Sequence, residues 1–140
     1  MERELARLLV EQRILQQEIE RLYSEIAILE RAILERQLAL TSLNEYKNMR
    51  EEKETLVPIG GNIYISSKLQ PNKKLLVGVG ANIYVAKTIE DTIEFINNSL
   101  ANLNRAYRER VNTLNELRKR YEELTAAIAE IRLRQEGARK

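Results

Sequence analysis

The chain of 140 residues contains no histidine and no cysteine. The usual general base and the usual zinc ligand are both missing, and disulfides and thiolate metal sites are excluded. Gly78-Val79-Gly80 has the spacing of the first two glycines of a dinucleotide loop. However, Ile83 occupies the place of the third, and a strand pattern stands where a helix should follow. Carboxylates are plentiful but sit in the flanks of an apolar repeat rather than converging on one point. We therefore expect neither an enzyme nor a bound metal, nucleotide or other cofactor. The chemistry left is apolar contact. Leu9, Val10, Ile14 and Leu133 fall outside the repeat described below, and Val10 and Ile14, four apart, form an outward apolar strip. Isolated exposed apolar residues are ordinary, so the strip is either incidental or a place where another chain is held.

Charge points the same way. Lys and Arg number 23 against 21 Asp and Glu, a net charge of +2. A nucleic-acid binder would carry a stronger basic excess or stripe. The C-terminal Arg132, Arg134, Arg139 and Lys140 form either a solvated face or a weak contact for an acidic partner. No apolar run is long enough to span a membrane. Met1-Glu2-Arg3-Glu4 is not followed by the apolar core of a secretory signal. The expected location is cytoplasmic.

The elements that must position these residues are long helices. From Leu5 to Leu43 apolar residues recur every seven. One row is Leu5, Gln12, Ile19, Ile26, Ile33 and Leu40, and the other is Leu8, Leu15, Leu22, Leu29, Arg36 and Leu43. The pattern returns as Ile89, Ile96, Leu103, Arg110, Leu117, Leu124 and Ile131 beside Ile93, Leu100, Tyr107, Leu114, Tyr121 and Ile128. A seven-residue repeat kept this long specifies a left-handed coil with a partner helix. Polar helices of such length have no core of their own, and the nearest partner is the other helix of the chain, run antiparallel. Facing residues should then have indices that sum to the chain length, which places Arg110 near Glu30. Thr88 ahead of Ile89-Glu90-Asp91 starts the second helix nearly as a capping box. Gly137 is expected to stop it. Leu34 and Leu38 form a second off-seam pair, expected to lie against the middle segment or a neighbour.

Between the helices the period falls to two. Residues 57–65 read VPIGGNIYI and residues 77–85 read VGVGANIYV, an internal repeat offset by 20. Each copy carries Gly-Gly or Gly-Ala followed by Asn ahead of an alternating strand, the pattern of a tight hairpin turn. Gln70-Pro71-Asn72 turns the chain between copies. Four strands are expected, at about 56–59, 62–69, 74–79 and 82–87. Short hairpins are marginal in water and leave open edges. Leu56, Val57, Ile59, Ile63, Tyr64, Ile65, Leu75, Leu76, Val77, Ile83, Tyr84 and Val85 should therefore meet other subunits.

This plan resembles the prefoldin family. LVPIGGNIYI (Leu56–Ile65) is similar to the "LVPLG" strand of the alpha class, and GVGANIYVAKTIEDTIEFI (Gly78–Ile96) to its "SVGAGVAVKK…EDAxExI" stretch. Two hairpins rather than one also resemble the alpha class. The resemblance implies a mainly α fold with a small β part: a coiled-coil helical hairpin whose two β-hairpins join a barrel-like base on oligomerisation. It implies one domain over 1–140, with a coil helix over 1–53, an assembly segment over 55–87 and a coil helix over 89–136. It further implies an ATP-independent co-chaperone of two alpha and four beta subunits. Its coil tips hold non-native protein and deliver it to a group II chaperonin. The tip residues would be Leu5, Leu8, Leu9, Val10, Ile14, Ile128, Ile131 and Leu133. Leu5, Leu8, Ile128 and Ile131 have two uses open to them, pairing with one another across the seam or fraying open for a client. The competing reading is a structural coiled-coil assembly or filament former without client transfer.

Overall fold

The computed structural model describes residues 2–139. Lys140, counted above among the basic C-terminal residues, lies outside them. The elements in order are α1 (Glu2–Asn48), β1 (Lys53–Gly60), β2 (Ile63–Leu69), β3 (Leu75–Gly80), β4 (Ile83–Lys87) and α2 (Ile89–Arg139). Contacts group them into two compact units. One comprises residues 2–32 with 103–139, and the other Ile33–Asn102.

The first unit is a helix pair without a sheet. Leu8, Leu124, Ile128 and Ile131 close one apolar layer, with Leu5, Leu15 and Ala127 against it. Leu22, Ile26 and Leu114 close a second, with Ile19, Tyr107, Val111 and Leu117 beside it. All but Ala127 and Val111 belong to the heptad rows, so the repeat read from sequence is the packing seam. Gln12, the polar intruder at one seam position, donates from Nε2 to Thr125 Oγ1 of α2 at 3.0 Å. A polar contact in a seam penalises slipped registers, where it would be lost. Arg110 does not face Glu30. Its Nε donates to Glu25 at 2.9 Å, while Glu30 accepts from the Tyr107 hydroxyl at 3.4 Å. The register follows from where the helices end, at Asn48 and Ile89, rather than from symmetry about the whole chain. Gly137 does not stop α2. The helix continues to Arg139, and Gly137 has no left-handed backbone. A glycine inside a helix costs about 1 kcal/mol relative to alanine, which is too little to end it.

The second unit holds both hairpins. α1 ends at Asn48 rather than near residue 53, and the strands begin with Lys53. Met49 N–H donates to the Tyr46 carbonyl at 3.1 Å, tightening the last turn, and Arg50 Nη1 donates to the Lys47 carbonyl at 3.1 Å. Carbonyls at a helix end that have no partner within the helix are thereby satisfied. β1 pairs antiparallel with β2, and β3 with β4, as two separate two-stranded sheets. Both turns are built alike. Gly61 and Asn62 in one, Ala81 and Asn82 in the other, have φ between 50° and 60°. Two consecutive left-handed residues make the hairpin turn whose twist matches the strands. Gly60 and Gly80, at φ 105° and 115°, sit where each ladder shifts register. Asparagine at 62 and 82 follows from this geometry, since Asn tolerates the left-handed region better than other non-glycine residues. Between the hairpins, Pro71 precedes Asn72 at φ 55°, the pattern of a type II turn.

Thr88 starts α2 as expected. Its Oγ1 accepts from Asp91 N–H at 3.1 Å, and its carbonyl accepts from Thr92 N–H at 3.0 Å and Thr92 Oγ1 at 2.7 Å. Lys87 Nζ lies 5.6 Å from the centre of the Phe95 ring, so the end of β4 is held to the first turns of α2 by a cation–π contact.

Candidate functional site

Two surfaces follow from this fold, one on the hairpins and one on the helix pair. On the hairpins, the side chains expected at subunit contacts are mostly exposed. Leu56, Val57, Ile59, Ile63, Tyr64 and Ile65 lie open on the first, and Leu76, Ile83, Tyr84 and Val85 on the second. Every residue of β1 and β2 is exposed. Two of the expected contacts differ. Val77 is buried and Leu75 half-buried within their own unit. β3 lies where α1 and α2 both approach it, so its inward side chains are covered by the same chain and are not free for a partner. Alternation along a strand puts neighbouring residues on opposite faces, and in β1 and β2 both faces are apolar: Val57 pairs with Ile65, and Pro58 with Tyr64. In the second hairpin Tyr84 opposes Gly78, and a Cβ at Gly78 would stand 3.3 Å from the Tyr84 ring. The ring therefore covers the bare glycine backbone.

Two open grooves flank β3. One, of about 460 Å³, is lined by Arg36, Ala39 and Leu43 of α1, by Leu75–Gly78, and by Thr92, Phe95 and Ile96 of α2. The other, of about 590 Å³, has Leu43, Tyr46, Leu69 and Leu75 in its walls and Lys68, Lys73 and Lys74 around them. Tyr46 is the residue that sequence reasoning missed. Its hydroxyl donates to the Gln70 carbonyl at 2.6 Å and accepts from Lys73 N–H at 3.0 Å. One side chain from the last turn of α1 thus ties both ends of the turn between the hairpins. The available signal was slight: an aromatic on the seam side, one turn past Leu43, just before the helix ends.

On the helix pair, the eight expected tip residues divide. Leu8, Ile128 and Ile131 are buried against one another and Leu5 is half-buried, so another chain could reach them only if the pair opened. Leu9, Val10, Ile14 and Leu133 stand exposed, Val10 at 57% and Ile14 at 60%. The off-seam pair Leu34 and Leu38 is exposed as well, in the second unit. Ion pairs line the seam's flank. Arg120 Nη2 meets Glu11 at 2.9 Å, and the hydrogen bond from the guanidinium to Glu11 raises the Arg120 pKa further. Arg21 bridges Glu18 and Glu25, and Glu25 also takes Arg110. Arg36 donates to Ser99 at 3.4 Å. Such exposed pairs are screened by water and add little stability; the two that cross between the helices, Arg110–Glu25 and Arg120–Glu11, favour this register.

Among the described residues, no group of three or more His, Cys, Asp or Glu is arranged to hold a metal. No helix among them is long and apolar enough to cross a membrane. Two long helices joined through a pair of exposed β-hairpins define a prefoldin-like architecture, and relatives agree. The family described as "Prefoldin subunit" matches residues 15–132. A "Prefoldin subunit alpha" of Thermofilum pendens is 30% identical over 122 residues, covering 87% of this chain and 95% of that protein. Among solved structures, the filamentous PFD from Methanocaldococcus jannaschii aligns with a TM-score of 0.69 at 28% identity, over 82% of this chain and 95% of its own. The chain belongs to the prefoldin family.

Proposed function

We propose that this chain is the alpha-type subunit of an ATP-independent co-chaperone that holds non-native proteins and passes them to a group II chaperonin. The observation that carries the reading is the hairpin surface. Leu56, Ile59, Ile63, Tyr64, Leu76 and Tyr84 lie along the strands of the two hairpins and are open to solvent, on sheets too small to be stable alone. Such a patch is an interface waiting for neighbours. Beta-type prefoldin subunits are the partners the family supplies, in a complex of two alpha and four beta chains with a barrel-like base, working in the cytoplasm. The chain acts as one domain and is not an enzyme. Client contact falls to the apolar residues of the helix pair near the chain ends. Burying one leucine stabilises a contact by about 1.5–3 kcal/mol before entropy is subtracted. One arm therefore holds weakly, and several arms on one base hold well through effective concentration. Release then proceeds arm by arm, without a nucleotide.

Co-expression with a beta-type subunit and mass measurement of the complex tests the assembly. Removing residues 1–15 and 122–140 should abolish suppression of client aggregation and leave the complex intact. A truncated complex that suppresses aggregation fully would sink the holding mechanism. Open-ended light scattering by the purified chain alone would favour a structural filament former instead.

A further inference from the structure

The exposed side of α1 in the first unit has a composition that client holding alone does not require. Stepping by four and three residues along it gives Arg3, Arg7, Val10, Ile14 and Gln17, all exposed. This is one stripe on the side away from the seam, with Arg13 exposed beside it. The only carboxylates between residues 3 and 17 are Glu4 and Glu11. They occupy the seam's flank, where Glu11 is already paired with Arg120. Among the described residues, Arg3, Arg7 and Arg13 take part in no ion pair, in contrast to Arg21 further along, which is tied to Glu18 and Glu25. The matching outer stripe of α2 is of different character. Stepped the same way it gives Glu116, Lys119, Glu123, Ala126, Glu130 and Leu133, all exposed, with Leu133 as its one large apolar residue. Its acids are already partnered in part, Glu123 by Arg120 and Glu130 by Arg134. The pair thus presents a cationic apolar face on α1 and a polar face of both signs on α2.

We propose that the α1 stripe is the holding surface, and that it selects non-native segments in which carboxylates lie next to apolar side chains. This rests on the co-chaperone reading above and specifies its substrate class. Val10 and Ile14 bury the client's apolar groups, and the three arginines around them meet its acids in partly desolvated contacts, where a charged hydrogen bond is stronger than in water. A basic segment meets like charge on α1 and finds little apolar surface on α2. Complementary charge governs which partner is chosen more than how tightly any partner is held.

The test uses the full-length chain in its assembled complex and two fluorescein-labelled peptides. The peptides share one set of leucines and carry either aspartates or lysines between them. By fluorescence anisotropy at low salt, the aspartate peptide should bind about tenfold more tightly. The preference should shrink in 1 M salt, where the screening length falls to about 3 Å. The triple variant Arg3→Glu, Arg7→Glu, Arg13→Glu should reverse it. Val10→Ser with Ile14→Ser should weaken both peptides by about tenfold, whereas Leu133→Ser should change little. All these positions are exposed, and circular dichroism checks that each variant remains helical. A complex that suppresses client aggregation yet shows no charge preference, or keeps it in the triple variant, overturns this inference and leaves the co-chaperone reading standing. A wild-type complex that binds neither peptide and suppresses no aggregation overturns both.

Discussion

Leu124→Ala separates the seam from the surface by a measurable amount. Leu124 is 1% exposed and sits in the layer formed with Leu8, Ile128 and Ile131. The substitution removes three carbons' worth of burial, about 2.4 kcal/mol at ~0.8 kcal/mol per buried methylene. The cavity left behind adds to that, giving roughly 3 kcal/mol, near the low end of measured leucine-to-alanine losses. The low end applies because a two-helix seam has open sides and collapses more readily than a globular core. Leu133 is 68% exposed. The same substitution there removes about a third of the burial and costs less than about 1 kcal/mol. Hydrogen exchange read by mass spectrometry along α2 is the assay, because it reports opening of this segment rather than melting of a whole assembly. A loss of 3 kcal/mol speeds exchange on the order of 100-fold across residues 103–139 in Leu124→Ala, and Leu133→Ala stays close to wild type. Equal exchange in the two variants would show that the helix pair does not close the seam described here. It would also return Leu8, Ile128 and Ile131 to the accessible surface.

Two further outcomes concern the hairpins and the seam's flank. Ala81 holds φ 50° in the turn position that Gly61 fills at φ 59° in the other hairpin. A left-handed non-glycine residue is disfavoured by about 1 kcal/mol, and the looser unfolded chain of a glycine offsets roughly half of that. Ala81→Gly should therefore stabilise, and Gly61→Ala destabilise, by about 0.5 kcal/mol each. Thermal unfolding of the complex should show shifts of opposite sign, and shifts of the same sign would refute the turn assignment. The Glu18 carboxyl is held below its ordinary value of 4.5, chiefly by the hydrogen bond from Arg21, with burial opposing and the Arg21 charge adding. A folded-state pKa below the unfolded one contributes stability that is present above the unfolded value and lost as pH falls through the folded value. The pair lies within α1, so its small contribution to that helix should be lost in acid, as pH falls below about 4.5, in wild type and not in Glu18→Gln. A carboxyl titration of Glu18 by NMR that falls at or above the ordinary value would contradict the contact.

Much of this fold was legible because its information is local and periodic. The heptad rows are the seam, down to Gln12, Arg36 and Arg110, since a residue's angle around a helix depends only on its number. The two hairpins were legible from Gly-Gly-Asn and Gly-Ala-Asn, which mark backbone that few residues adopt. Strand ends moved by up to three residues, and α1 ended five residues early, because ends are set by capping contacts such as Arg50 to the Lys47 carbonyl. Gly137 misled because one glycine weakens a helix without breaking it. The pairing of Arg110 with Glu25, and the Tyr46 hydroxyl spanning Gln70 and Lys73, join residues far apart in the chain. No pattern encodes such pairs, since they depend on where two elements meet.

Periodicity by itself therefore determined that two helices flank a doubled hairpin, and which side of each helix is apolar. Tertiary structure decided which apolar residues are spent and which remain. It closed Leu8, Ile128 and Ile131 on one another and covered Val77 within its own chain. It left Val10, Ile14 and nearly all of the hairpin surface in solvent. The physical reason is that burial is a property of neighbours. A sequence states which side chains gain by leaving water, but only the packed chain shows which of them have already done so.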